Sequence, residues 1–206
     1  MNQVAKIMAL FALVIAAVAS NPASAQSISV ELTTVSGDGF TSGSTFVVRA
    51  AVTANTTGIA PSAASLRLTF PNTLLQFQSV VGTGNLGPAV ASLADEFTSP
   101  PVAGQAFRDI SNIGPTSPDP FPATNLTPAL FEVTFLVLEQ ASVAGALDLA
   151  LSLDPDTDNP FPTFDLDPIS PTFGQEIVVV DPDDPSAITF TNVSLTGVDN
   201  WLELHD

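Results

Sequence analysis

Apolar and polar residues alternate with a period of two through most of this chain, and that alternation limits what it can fold into. Ile28, Val30 and Leu32 are separated by Ser29 and Glu31, and Phe46, Val48, Ala50 and Val52 by Val47, Arg49 and Ala51. Leu147, Leu149, Leu151 and Leu153 alternate with Asp148, Ala150 and Ser152. Successive side chains of a strand point to opposite faces, so each run describes a strand with one buried face. Leucine and alanine favour helices, but the period here is 2 rather than 3.6, and prolines punctuate the long intervals.

The same reading predicts strands at Leu66–Phe70, ended by Pro71-Asn72, at Leu75–Ser79 and at Ala106–Ile113. Leu130–Leu138 is apolar on both faces, the pattern of a central strand, and Glu176–Val180 after Gly174 is read as a final core strand. Ala187–Leu195 is a further strand. Residues 82–104, rich in Gly, Pro, Ser and Ala, form a long connection with one helical turn at 93–97, and 114–128 is a proline-rich loop. The predicted class is all-β: a two-sheet antiparallel β-sandwich with jelly-roll topology, about nine strands plus one extra C-terminal strand.

Residues 1–25 are expected to lie outside the fold. Lys6 precedes an apolar run from Ile7 to Val18, and Ala23-Ser24-Ala25 gives the small-x-small cleavage pattern of a secretory signal peptide. The run is shorter than the roughly 20 apolar residues needed to span a bilayer, so no membrane insertion is expected after cleavage. The product would be secreted, to the extracellular medium or the periplasm. The remainder suits one domain, divided into a sandwich at 26–180 and an acidic link with the extra strand at 181–206.

Cysteine is absent, which removes thiol nucleophiles, iron–sulfur clusters and cysteine-bound zinc. The formal net charge is −17, and after Lys6 the only basic residues are Arg49, Arg67 and Arg108. Nucleic acid is therefore excluded as a partner, because binding its phosphates needs a basic footprint. Catalytic signatures are missing as well: the one histidine is His205, there is no tyrosine, and no Gly-x-Ser-x-Gly element occurs. The chain reads as a non-enzyme.

Thirteen of the 21 carboxylates lie from Asp148 onward. Within them, Asp154, Asp156 and Asp158 occupy positions 1, 3 and 5 of a window whose position 12 is Asp165. Alternate side chains of a coiled loop turn toward one centre, so this spacing predicts a calcium site. Asn159 and Pro160 stand where the sharp turn of such a loop favours glycine, which leaves an acidic turn as the other reading. Calcium is the one cofactor the sequence suggests.

The order of features resembles the cohesin family, the extracellular receptors of cellulosome scaffolds. The resemblance lies in Ser42-Gly43-Ser44-Thr45-Phe46-Val47-Val48, in Leu66-Arg67-Leu68-Thr69-Phe70-Pro71 followed by Leu74–Val80, and in Ile110-Ser111-Asn112-Ile113-Gly114. It continues through Ala129–Phe135 to Gly145–Leu153 and spans roughly Ile28 to Val180. It implies a nine-stranded jelly roll that binds a dockerin-type protein through one sheet face, with Arg67, Thr69, Gln76, Gln78 and Ser111 as expected contacts. The implied setting is polysaccharide-related extracellular assembly. Two other functions stay open: a structural or matrix subunit that binds itself by lending Ala187–Leu195 to a neighbour's sheet, and a calcium-assisted module binding carbohydrate.

Overall fold

The computed structural model describes residues 26–37, 42–61, 63–83, 86, 88–91, 104–112, 126–138, 147–164, 168–177, 180–181, 183–184 and 186–195. The expected leader at 1–25, the expected helical turn at 93–97, Asp165 and the residues beyond Leu195 lie outside them. The described residues hold twelve strands and no helix: β1 Ile28–Gly37, β2 Thr45–Asn55, β3 Ser65–Pro71, β4 Leu75–Gly82, β5 Ala89–Ala91 and β6 Gln105–Asn112. After them come β7 Ala129–Val137, β8 Leu147–Leu153, β9 Thr163–Phe164, β10 Glu176–Ile177, β11 Ile188–Thr191 and β12 Val193–Leu195.

Two five-stranded sheets form the sandwich, one ordered β11-β1-β2-β7-β4 and the other β12-β8-β3-β6-β5. The expected all-β sandwich is present, and all the ladders are antiparallel except that β11 runs parallel to β1. The period-two residues fill the space between the sheets: Ile28, Val30, Leu32, Phe46, Val48, Leu66, Leu68, Val133 and Leu149 are all buried. Phe135 of β7 lies at the aromatic centre, its ring 5.0 Å from Phe70, 5.5 Å from Phe46 and 6.2 Å from Phe77. Aromatic rings bury large areas and prefer such offset or edge contacts, so this group ties both sheets to one core.

Three elements differ from the sequence reading. β7 is buried on one face only, with Glu132, Thr134 and Leu136 on its half-exposed side. Glu132 accepts from Nε and Nη2 of Arg49 on β2, which explains how a run so rich in apolar residues still has a polar face. The expected core strand Glu176–Val180 is described only in part: Glu176–Ile177 form β10, which pairs with β9 in a ladder apart from both sheets, 178–179 lie outside the described residues, and Val180 is buried in the core. Gly174, with φ of 77°, ends the turn before it, a conformation that glycine adopts without strain.

The last core strand is instead the segment expected as an addition after residue 180. β11 pairs with β1, β12 pairs with β8, and Ala187 and Ile188 are buried in the core. Residues 188–195 thus fold back on their own sandwich and close the same side of both sheets.

Candidate docking face

The outer face of the β12-β8-β3-β6-β5 sheet brings together polar side chains from separate parts of the chain. On β3, Ser65, Arg67 and Thr69 alternate with Leu66, Leu68 and Phe70, and the alternation turns them outward. Register sets Ser111, Asp109 and Phe107 of β6 directly opposite them. On the other side, Ser152 and Ala150 of β8 face Arg67 and Thr69. Val90 of β5 stands opposite Ser111 and is 47% exposed.

Arg67 is the centre of this face. Its Nε donates to Asp109 Oδ1 at 2.7 Å and its Nη2 to Asp109 Oδ2 at 2.8 Å, while the guanidinium lies 3.8 Å from the centroid of the Phe107 ring. Bidentate pairing and stacking both suit a planar guanidinium, so two neighbours fix one orientation. The hydrogen bond to Asp109 holds the Arg67 pKa above its ordinary value against the opposing effect of burial, and the charges of Asp109, Asp154 and Asp156 add to it.

Beside this pair runs a chain of hydroxyls. Ser65 Oγ donates to Asp154 Oδ2 at 2.9 Å and lies 2.7 Å from Ser111 Oγ. Asp154 is buried where β8 ends, and its Oδ1 accepts from the backbone N–H of Asp156 at 3.0 Å. Thr157 N–H donates to Asp154 O as well, so the acidic segment begins as a tight turn held by its own first aspartate. Asn159 then donates to Glu176 Oε1 at 2.7 Å, anchoring the β9–β10 ladder beside this end of the face.

The expected metal ligands are only partly assembled. Asp154 and Asp156 approach each other, with an oxygen from each and from Asp109 all within 4.8 Å. Asp158 is exposed and lies outside that group. Asp109 comes from a different strand, which no spacing within the acidic loop reveals. The partner-binding residues also divide. Arg67, Thr69 and Ser111 share the face just described, whereas Gln76 and Gln78 are on β4, at the edge of the other sheet. Gln78 falls at a register shift between Phe77 and Ser79. Sequence reasoning missed Asp109, Ser65, Phe107 and Val90; the signal for the first three was their alternation in phase with β3.

No protein-family model matches the chain, and no curated protein matches it. Solved structures do. The seventh type I cohesin of ScaB from Pseudobacteroides cellulosolvens superposes with a TM-score of 0.50 at 16% identity, over 82% of this chain and 91% of that one. The fold is that of a cohesin. A type II cohesin domain from the cellulosome of Acetivibrio cellulolyticus also gives 0.50, at 13% identity over 84% of this chain and 96% of its own. The third ScaC cohesin from Acetivibrio cellulolyticus, in complex with the ScaB dockerin, gives 0.49 at 11% identity over 82% and 97%. At such identities the likeness is one of fold, and the cohesin-like sandwich covers strands from both sheets.

Proposed function

We propose that this chain is a secreted, non-catalytic recognition module that docks a dockerin-type protein on the outer face of β8, β3, β6 and β5. The observation that carries the reading is the organisation of that face. Arg67 and Asp109 fix each other across two strands, Ser65, Ser111 and Asp154 fix one another beside them, and exposed Val90 adds an apolar contact. Side chains already ordered before binding lose little entropy on docking, which favours recognition of one partner. The cohesin-like fold supports a protein as the ligand, since a fold hosts many functions but cohesins are receptors by the resemblance stated above. Polysaccharide-related assembly is the setting this reading implies.

Self-assembly by lending Ala187–Leu195 to a neighbour finds less support, because β11 and β12 already complete the edges of their own sheets. Calcium remains a proposal with a revised ligand set. Asp109, Asp154 and Asp156 offer the hard carboxylate oxygens that calcium takes, and they would hold the ion.

The test is a pull-down on the immobilised chain from Gln26 onward, using the secreted proteins of the source organism, with and without calcium, and mass spectrometry of what is retained. Retention of a protein carrying paired dockerin-type repeats is the expected result. Retention of this same chain alone, or of nothing, would overturn the reading.

A further inference from the structure

The direction of the hydrogen bonds across the docking face states what its occupant must bring. Ser65 has one hydroxyl hydrogen, and it goes to Asp154 Oδ2. The 2.7 Å contact between Ser65 and Ser111 is therefore donated by Ser111. With its hydrogen committed inward, Ser111 offers a ligand only acceptor lone pairs. Asp109 and Asp156 are acceptors too, and Asp109 is already turned toward Arg67 by two bonds.

The cations of the described residues do not reach out from this face. Arg67 lies on Phe107 and is chelated by Asp109. Arg49 pairs with Glu132 on the other sheet, and Arg108 is buried, with its guanidinium 5.3 Å from the Phe77 ring centroid. Exposed Asp148, Asp156 and Asp158 add negative charge along the β8 side. Next to these acceptors stands Val90, an exposed apolar side chain directly opposite Ser111.

Taking the docking reading as its basis, we propose that the occupant is a polypeptide segment that presents arginine or lysine side chains, their charged heads donating to Ser111 and Asp156 and their stems lying against Val90. An aliphatic stem with a cationic head matches an apolar contact bordered by acceptors. An acidic segment meets mostly like charge and acceptor lone pairs here, which disfavours it; the hydroxyls of Thr69 and Ser152 and the remaining N–H groups of Arg67 are the donors left on the face.

The experiment is a titration of the 15N-labelled chain from Gln26 onward, the portion holding every described strand, at low ionic strength. The probes are a hexa-arginine peptide and a hexaglutamate peptide at matched charge. The arginine peptide is expected to shift the amides of Val90, Asp109, Ser111 and Asp156 first, with no such response to hexaglutamate. Ser111→Ala and, separately, Asp156→Asn are each expected to weaken that response by about threefold, the scale of one hydrogen bond for the first and of one exposed ion pair for the second. Shifts confined to Asp181, Asp183 and Asp184, or an equal response to hexaglutamate, would overturn the proposal. The two readings fail separately. A face that takes the arginine peptide while the pull-down yields no dockerin-type protein overturns the partner class, and a retained dockerin-type protein with no arginine response overturns the donor chemistry.

Discussion

Asp109 is 7% exposed and commits both carboxylate oxygens to Arg67, so neither residue can be altered alone without stranding its partner's charge. Changing Asp109→Ala is expected to cost about 2 kcal/mol in urea unfolding, between the value of an exposed pair and that of a fully buried one. Arg67→Met combined with Asp109→Ala should cost less than the sum of the two single changes, and simple additivity would show that the pair is not coupled. Asp184 gives a pH prediction. Ser186 donates to it from its hydroxyl and its backbone N–H, which lowers the Asp184 pKa below the usual 3.8. A depressed carboxylate favours the folded turn above the unfolded value and loses that effect as pH falls through the folded one. Ser186→Ala is therefore expected to move the Asp184 titration, followed by carboxyl carbon shifts, up toward 3.8. At this scale the sequence placed the expected contacts only in part. Arg67, Thr69 and Ser111 fell on one face because alternation is local, but Gln76 and Gln78 belong to the other sheet, and which strands become neighbours is not a local property.

β7 shows how packing turns a pattern into an element. Its inward Phe135 touches three other aromatic rings from both sheets, so Phe135→Ala is expected to cost about 4 kcal/mol, while Gln76→Ala on the exposed side of β4 should stay within about 0.5 kcal/mol. β11 and β12 make the second prediction at this level. Stopping the chain after Asp184 strips one edge from each sheet and removes buried Ala187 and Ile188. That loss should approach about 4 kcal/mol or more, a large part of the 5–15 kcal/mol of a typical domain, and calorimetry should show a collapsed or absent transition. An unchanged melting temperature would mean that these strands are accessory. Strands β1, β2, β3 and β8 were legible because each buries one face and exposes the other. β10 was not, since its short apolar run gives no sign that its hydrogen bonds go to β9 alone. The role of β11 was hidden for a similar reason: its parallel pairing with β1 joins residues from opposite ends of the chain.

At the scale of the whole molecule, charge and fold bear on recognition together. With a formal charge of −17, the chain is expected to gain about 1 kcal/mol, or roughly 3 °C in melting temperature, when salt screens its self-repulsion. Falling stability with added salt would show instead that specific ion pairs dominate. The sandwich itself was readable from alternation and proline spacing, and the likeness to solved cohesins agrees with that reading. The face was less readable, because Asp109 and Ser65 acquire their meaning only from register across β3, β6 and β8. The most direct test of that face compares two bulky surface changes against the retained partner: Ser111→Trp in the middle of the docking face and Gln76→Trp on the opposite sheet, each measured by calorimetric titration. Loss of binding with Ser111→Trp and full affinity with Gln76→Trp is the expected result; the reverse would place recognition on the other sheet and contradict the docking face described here.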